Sequence, residues 1–395
     1  MLPTNQYDVV IVGGGIHGVG VAQAAIAAGH SVLLLEQTAL ADGTSGRSSK
    51  LIHGGLRYLE SAQFSLVREC LRERELLLKL APDLVKLRRF YLPVYRHTTR
   101  RPWLVRAGLG LYALLGGIQE SSRFRTISSR LWQTLDGLET SGLQTVFQYW
   151  DAQTDDAALT QAVMQSAIEL GAVLAVPARF HSANLTNDGS EVRYECDGKE
   201  NSCQARVLVN AAGPWVNHVL ANIAPRQSPL AIDLVQGTHI VLEGKVTNGI
   251  YYLEAPRDKR AIFVMPWRDR VLVGTTETMF AKAPEQAEPL PEEIAYLLET
   301  VASYFPVYRD TTPDTIVSAF AGLRVLPAAD NSTFKRARET VLHTDRTESP
   351  RVLSIYGGKL TAYRATARKV MQRLNTSLPS VTPVADTTQL PLRPA

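Results

Sequence analysis

The pattern of apolar and polar residues at the start of the chain predicts two parallel strands joined by a helix. Residues 7–12 form an apolar run that predicts a buried strand, and residues 22–28 continue a helix that Gly29 is placed to end. A second apolar run, residues 31–35, predicts the next strand of the same sheet. This order is typical of the βαβ unit of an α/β domain.

Later segments predict that this sheet grows and that a second sheet follows. Helices are predicted at residues 64–80, 154–170, 291–305 and 361–374, and further strands of the first sheet at 172–176 and 352–356. Three runs predict a small antiparallel ribbon that returns to the parallel sheet: 180–185, 191–196 and 205–209. Residues 230–320 are rich in short β runs with close turns, which predicts a separate antiparallel sheet.

The helix predicted at residues 64–80 carries alternating acidic and basic side chains. Glutamates and arginines alternate at Arg68, Glu69, Arg72, Glu73, Arg74 and Glu75. Pairs at this spacing stabilise an exposed helix, so the pattern predicts a solvated face and no binding site.

The turn after the first strand has the spacing of a dinucleotide-binding site. Gly13, Gly15 and Gly18 follow the G-x-G-x-x-G pattern, and Ile16 and His17 lie within it at the start of the helix. Glycines there permit a tight turn, close approach to a pyrophosphate and close helix packing, and the helix N-terminus attracts phosphate. Glu36 ends the second strand, where a carboxylate can bind the ribose hydroxyls. A glycine-rich turn in an ordinary βαβ unit explains the glycines but not Glu36.

The next loop favours FAD over NAD. It is small and rich in hydroxyl groups, as expected of a loop that follows a diphosphate and a ribityl chain; its candidate cofactor residues are Thr44, Ser45, Ser48, Ser49, Lys50, Ile52, His53 and Gly54.

Several motifs resemble those of the FAD-dependent glycerol-3-phosphate dehydrogenases, a family of respiratory flavoenzymes. The signature-like segments are SSKLIHGGLRYLE (48–60) and YGGKLTAYR (356–364), with NAAGPW (210–215), QGTHIV (236–241), VGTTE (273–277) and GLR (322–324) in order between them. The resemblance adds further FAD contacts at Ala211, Gly213, Trp215, Gly322, Gly358, Lys359, Leu360 and Thr361. It implies oxidation of sn-glycerol 3-phosphate, a phosphorylated polyol, to dihydroxyacetone phosphate, with quinone as the electron acceptor.

The resemblance also implies a domain arrangement. The fold class is α/β and α+β: a two-dinucleotide-binding, Rossmann-like FAD domain with an inserted antiparallel substrate domain. We expect the FAD domain at residues 1–87, 141–229 and 321–380, the substrate domain at 88–140 and 230–320, and a tail at 381–395. The family carries a further helical C-terminal domain, which this form is expected to lack.

Cationic side chains in these motifs are candidates for binding a substrate phosphate, which favours arginine and lysine donors. They are Arg57, beside Tyr58, with Arg324, Arg338 and Lys359. Each has a structural alternative: Arg57 as a helix cap at the surface, Arg324 as a partner of Asp330, and Arg338 as part of a solvated basic run. Lys359 follows a glycine pair, which favours close approach of a ligand to the backbone.

His239 is the candidate proton acceptor, with Arg324 as the group that stabilises the developing alkoxide. His239 matches a family position beside the substrate and, with an ordinary pKa, is neutral near pH 7. The alternative is a strand histidine on the other side of the sheet.

Composition excludes several other classes of protein. The 395 residues are 45% hydrophobic and 20% charged, and the net charge of +4 is too small to indicate nucleic acid. The cysteines, Cys70, Cys196 and Cys203, lack metal-ligand spacing, and they indicate a reducing, cytoplasmic setting without disulfides. The first strand begins at once, so no signal peptide is expected. The oligomeric state, a homodimer included, is left open.

One segment suits the membrane surface. Residues 104–115 are apolar apart from Arg106 and follow Arg100, Arg101, Pro102 and Trp103, as in a helix that lies in a membrane interface. The alternative is a helix buried between domains. The family resemblance favours the first, a peripheral contact with the cytoplasmic membrane.

Two rival functions remain. One is a related FAD oxidase or a dehydrogenase of another hydroxy acid or amino acid. The other is a non-catalytic flavin-binding subunit that transfers electrons or holds a complex together. The presence of Arg57, His239, Arg324 and Lys359 argues against the second, since a scaffold needs none of them.

Overall fold

The computed structural model describes residues 5–328 and 340–394. The helices are α1 (Ile16–Ala27), α2 (Phe64–Leu80), α3 (Pro102–Leu115), α4 (Asp156–Glu169), α5 (Val216–Ala221), α6 (Pro291–Tyr304) and α7 (Tyr363–Leu374). The strands are β1 (Gln6–Val12), β2 (Val32–Leu35), β3 (Leu51–Ile52), β4 (Val85–Tyr95), β5 (Arg125–Ile127), β6 (Leu143–Thr154), β7 (Val173–Ala175), β8 (Ala178–Thr186), β9 (Gly189–Cys196), β10 (Lys199–Asn210), β11 (Ile223–Ala224), β12 (Ile232–Leu242), β13 (Ile250–Glu254), β14 (Ala261–Trp267), β15 (Arg270–Gly274), β16 (Thr278–Phe280), β17 (Ser318–Pro327), β18 (Val341–Thr344) and β19 (Val352–Tyr356).

The first sheet has the parallel centre that the sequence predicts. β7, β2, β1, β10 and β19 are neighbours in that order and run parallel. β8, β9 and the first half of β10 form the predicted antiparallel ribbon. The helices α1, α4 and α7 cover one face of the sheet with apolar side chains such as Val19, Met164 and Val370, and the ribbon and α5 cover the other.

The second sheet is mostly antiparallel, and its order is β16-β12-β15-β14-β13-β4-β6-β3, with β17 against β12 and β5 against β6. The helix α6 packs on one face through Leu297 and Val301. The helices α2 and α3 pack on the other through Leu71 and Leu109. The two sheets confirm the predicted fold class.

The division between the sheets differs from the expected domain bounds. The strand β6 falls in the segment 141–229 that we expected in the FAD domain, yet it pairs with β4 in the second sheet. β3 and β17 also pair there, although β3 and all but the first three residues of β17 lie in segments expected in the FAD domain. Long-range pairing decides the sheet to which a strand belongs, and a local pattern does not specify that pairing. We propose that the domains follow the sheets, with β3, β6 and β17 on the substrate side.

The segment predicted as a tail packs against the ends of α1 and α2. The Leu392 side chain is buried, and its N–H donates to Leu80 O at 2.7 Å. Val384 N donates to Ala27 O at the end of α1. These contacts make the segment part of the folded domain.

The prediction that the charged residues of α2 face solvent is wrong for two of them. Arg74 is fully buried, and its guanidinium donates from Nη1 to Asp151 Oδ1 at 2.7 Å. Glu73 is also buried and pairs with Arg364 at 2.8 Å. Arg72 is exposed, as predicted. The charged residues of one helix therefore divide between solvent and two buried ion pairs.

The buried pair yields a stability prediction. Arg74→Met should lower the free energy of unfolding by about 3–5 kcal/mol, because it leaves the Asp151 carboxylate buried without its cation. The matched change Arg72→Met, on the exposed side of the same helix, should alter it by less than about 0.5 kcal/mol. Urea unfolding of both variants measures the difference. Equal losses of stability in the two variants would contradict this prediction.

The helix α3 is buried on one side and exposed on the other. Val105, Leu109 and Tyr112 face the core. Trp103 is 70% exposed and Leu114 is 61% exposed. Neither reading of residues 104–115 therefore describes the whole helix, because one face is core. In the described part of the chain, no helix has the length and apolar character needed to cross a bilayer.

Candidate active site

One cavity of about 1000 Å³ brings most of the predicted site residues together. It runs between the end of the first sheet and one face of the second. The predicted residues that line it are Gly13, Gly15, Ile16, His17, Glu36, Thr44, Ser45, Ser48, Ser49, His53, Arg57, Tyr58, Ala211, Gly213, Trp215, His239, Gly322, Arg324, Gly358, Lys359, Leu360 and Thr361. This volume is at the upper end of the range for a ligand pocket, which suits an elongated ligand.

Four predicted cofactor residues lie outside the cavity. A Cβ at Gly18 would lie 1.9 Å from Gly13 O, so this glycine lets α1 pack on β1. Ile52 is fully buried in β3. Lys50 Nζ donates to Asp156 Oδ1 at 2.6 Å and so holds the loop to the start of α4. Gly54 is the fourth.

Arg338 lies outside the described residues, as does Asp330, the alternative partner of Arg324.

Gly54 is held from behind by a buried hydrogen-bond network. Its N–H donates to Tyr112 Oη at 2.9 Å, and the Tyr112 hydroxyl donates to Asp151 Oδ2 at 2.7 Å. A Cβ at Gly54 would lie 2.5 Å from Tyr112 Oη, so a larger residue would displace this contact. The network fixes the loop that carries Arg57 and Tyr58.

One end of the cavity has the geometry of a dinucleotide site. Gly13 has φ of +109°, and a Cβ there would lie 2.7 Å from Ala211 O, so only glycine fits. Ile16 N, in the first turn of α1, donates to Ser45 Oγ at 2.9 Å. Glu36 Oε2 accepts from Gly14 N at 2.6 Å, which holds the carboxylate beside the turn. The small residues, the helix N-terminus and the carboxylate together fit FAD.

His239 lies at the other end of the cavity. It is 1% exposed, and its Nε2 is 2.9 Å from Ser49 Oγ. Its ring stacks on Phe320 with centroids 4.9 Å apart. Burial, with the positive charges of Arg324 and Lys50, lowers the pKa of His239 to about 3. The imidazole is therefore neutral at physiological pH.

Two of the predicted cations lie beside the same carboxylate, and the third lies beside Tyr58. Arg57 Nη2 lies 3.8 Å and Arg324 Nη1 3.9 Å from Glu277 Oε1. Arg324 also donates from Nη2 to Thr275 Oγ1 at 3.1 Å. Lys359 Nζ lies 3.9 Å from the centre of the Tyr58 ring. Segments distant in sequence thus bring three cations to the lining of one cavity.

Sequence reasoning missed Glu277 and Arg260. Glu277 is the last residue of the VGTTE motif, and its side chain is 6% exposed between the two arginines. Arg260 also lines the cavity and donates from Nη1 to Glu277 O at 3.0 Å. An acidic residue at the end of a motif rich in small residues was the available signal for Glu277.

A βαβ dinucleotide turn beside a cationic pocket on an antiparallel sheet defines the class of dinucleotide-dependent oxidoreductases. The family model described as FAD dependent oxidoreductase matches residues 8–364. The chain therefore belongs to the FAD dependent oxidoreductase family, and FAD is its cofactor.

Its relatives include enzymes named for polyol phosphates. The chain is 40% identical over 380 residues to a glycerol-3-phosphate dehydrogenase of Pseudomonas aeruginosa, covering 93% of this chain and 71% of the relative. It is 37% identical over 379 residues to D-erythritol 1-phosphate dehydrogenase of Brucella abortus, covering 95% and 74%. A solved glycerol-3-phosphate dehydrogenase of Bacillus halodurans complexed with FAD has a TM-score of 0.73 at 26% identity and covers 98% of this chain and 68% of its own. The family resemblance read from the motifs is confirmed.

The dinucleotide end yields a prediction about FAD. The protein should purify with FAD, and Glu36→Ala should weaken FAD binding about ten- to a hundredfold, because it removes one charged hydrogen-bond acceptor. Fluorescence of released FAD measures the dissociation constant. Asp188→Ala, in the exposed turn between β8 and β9, is the control and should bind normally. Protein that stays colourless after incubation with FAD would contradict this assignment.

Proposed function

We propose that this protein oxidises sn-glycerol 3-phosphate to dihydroxyacetone phosphate and passes the electrons to quinone. The observation that carries the proposal is the group formed by Arg57, Arg324 and Lys359, in the same cavity as His239 and the dinucleotide turn. A phosphate dianion that leaves water needs more than one cation to offset its desolvation. The relatives named glycerol-3-phosphate dehydrogenase support the same substrate.

The predicted substrate and catalytic residues that line the cavity have separate roles in this proposal. Arg57, Arg324 and Lys359 bind the phosphate, with the Tyr58 ring beneath the Lys359 ammonium group. The neutral His239 has one unprotonated ring nitrogen with which to accept the alcohol proton. Arg324 lies close enough to depress the pKa of His239, and the same charge stabilises an alkoxide. Bound FAD supplies the acceptor for the hydride.

Anaerobic addition of sn-glycerol 3-phosphate to the purified yellow protein tests the proposal. Loss of flavin absorbance supports it. If the spectrum is unchanged with this substrate while another small alcohol or acid bleaches the flavin, that compound replaces glycerol 3-phosphate as the proposed substrate. Reoxidation of the reduced protein by a soluble quinone tests the acceptor, and reaction with oxygen alone would favour an oxidase.

A second candidate substrate is a longer polyol phosphate. The similarity to D-erythritol 1-phosphate dehydrogenase is nearly as high as to the glycerol-3-phosphate enzymes. The same phosphate site would bind a tetritol phosphate, so kcat/KM for the two substrates distinguishes them.

The substrate phosphate yields a prediction for Arg324. Arg324→Ala should lower kcat/KM for glycerol 3-phosphate about ten- to a hundredfold, because a charged hydrogen bond contributes about 1.5–3 kcal/mol. KM should rise and kcat should fall, since a loosely held substrate presents its C2 hydrogen poorly. Glycerol, which lacks the phosphate, should be a poor substrate and should lose less in the variant, because it loses only the stabilisation of its alkoxide. Equal losses for both substrates would show that Arg324 serves chemistry or folding alone.

We further propose that the exposed face of α3 contacts the surface of the cytoplasmic membrane. Trp103, Leu104 and Leu114 are exposed apolar residues on this helix, and Arg101 and Arg106 are exposed beside them. An apolar face flanked by arginines suits the boundary between acyl chains and anionic headgroups. Contact there would bring the flavoprotein to membrane-bound quinone.

The membrane proposal predicts the behaviour of a double variant. Trp103→Glu with Leu104→Glu should release the protein from anionic liposomes without changing its flavin content, because the charges cannot enter the apolar layer. Co-sedimentation measures the bound fraction. Val307→Glu changes an equally exposed apolar residue after α6 and should stay bound. If the wild-type protein does not co-sediment with liposomes, the proposal is wrong.

A further inference from the structure

A buried carboxylate lies behind the cavity wall. Glu293, in the first turn of α6, is 3% exposed. Its Oε1 accepts from Thr276 Oγ1 at 2.8 Å and Thr278 Oγ1 at 2.6 Å. Its Oε2 accepts from Gln236 Nε2 at 2.7 Å, Thr238 Oγ1 at 2.6 Å and Leu290 N at 3.2 Å. Only the last donor belongs to the start of α6, so capping the helix does not account for the other four.

These donors alternate with residues that face the cavity. Successive side chains of an extended segment point to opposite faces. In β12, Gln236 and Thr238 bond to Glu293, whereas Gly237 and His239 line the cavity. The segment that leads into β16 repeats this arrangement. Thr276 and Thr278, the first residue of β16, bond to Glu293, whereas Thr275 and Glu277 line the cavity.

The segment 275–277 connects two strands without belonging to either. β15 ends at Gly274, opposite His239, and β16 begins at Thr278, opposite Gln236. The residues between them belong to neither strand, although Thr238 N donates to Thr276 Oγ1 at 2.8 Å. Thr276 N also donates to Thr238 O at 3.3 Å, and Arg260 Nη1 donates to Glu277 O at 3.0 Å. The hydrogen bonds that converge on Glu293 add side-chain support to these contacts.

The charge of Glu293 suits this role. Burial alone would raise its pKa, but the hydrogen bonds from Thr238, Thr278, Thr276 and Gln236 outweigh burial and lower it. The carboxylate stays ionised at neutral pH and acts only as an acceptor. A neutral amide would offer one acceptor oxygen and two donors to a set of groups that all donate.

We propose that Glu293 is a positioning residue that aligns the Gln236–His239 segment with Thr275–Thr278. Through this alignment His239 faces the cavity, and Glu277 lies between Arg57 and Arg324. The inference rests on the proposed function only in naming the substrate. Glu293 itself does not line the cavity, so its effect on a substrate passes through the residues it holds.

Glu293→Gln, with Glu292→Gln as its control, tests the proposal. Glu292 is the exposed neighbour in the same turn, so the control makes the same chemical change without the buried contacts. For Glu293→Gln we expect FAD content to be retained. Flavin reduction by glycerol 3-phosphate in anaerobic stopped flow should slow about ten- to a hundredfold. Reoxidation of the dithionite-reduced enzyme by a soluble quinone should be unchanged. Thr276→Val removes one donor to Glu293 and the acceptor of Thr238 N at nearly constant volume, and it should give a loss of the same kind.

Binding of inorganic phosphate, followed by the flavin absorbance change, provides a measure that needs no turnover. Weaker phosphate binding in Glu293→Gln than in Glu292→Gln supports the proposal. Normal reduction and normal phosphate binding in both Glu293→Gln and Thr276→Val would overturn it. So would equal slowing of both half-reactions with loss of FAD, which indicates a purely structural role. If glycerol 3-phosphate fails to reduce the wild type, the proposed function fails, and the phosphate titration still decides the role of Glu293.

Discussion

The close contact between α1 and the end of β1 is the constraint on which the site depends. A Cβ at position 18 would lie 1.9 Å from Gly13 O, so glycine alone allows the helix to begin directly over the strand. This contact brings the N-terminus of α1 to the cavity, where the helix dipole favours phosphate. The neighbouring strands end level with β1, with Val12 opposite both Leu35 and Asn210. The cofactor residues that follow them therefore meet at one edge of the sheet.

Buried carboxylates connect that edge to the rest of the molecule. Asp156 binds Lys50, and Asp151 binds the network behind Gly54. Glu277 lies between two arginines, and Glu293 lies behind the same wall. A buried charge is costly unless it is paired or hydrogen-bonded, so each carboxylate favours one arrangement of the segments around it. Contacts of this kind join parts of the chain that lie far apart in sequence.

The sequence predicted which residues line the cavity better than it predicted which side chains turn into the protein. Lys50 lies in the signature loop beside true cavity residues, yet its ammonium group turns to Asp156 and away from the cavity. Arg74 lies in a charge pattern typical of solvent, yet it is fully buried. In both cases a carboxylate more than 70 residues away decides the direction of the side chain. Local spacing carries no signal for such a partner.

By itself the sequence determined the βαβ start, the glycine turn, the terminal Glu36 and the helices α1, α2, α4, α6 and α7, because these depend on neighbours along the chain. It also indicated Arg57, His239, Arg324 and Lys359 through their motifs. It did not predict the strands β4, β6 and β17. Only the tertiary structure decided which sheet received β6, and it alone brought Glu277 and Glu293 to the two sides of one wall. Strand pairing and the burial of charge are long-range choices, since their free energy depends on groups that meet only when the chain is folded.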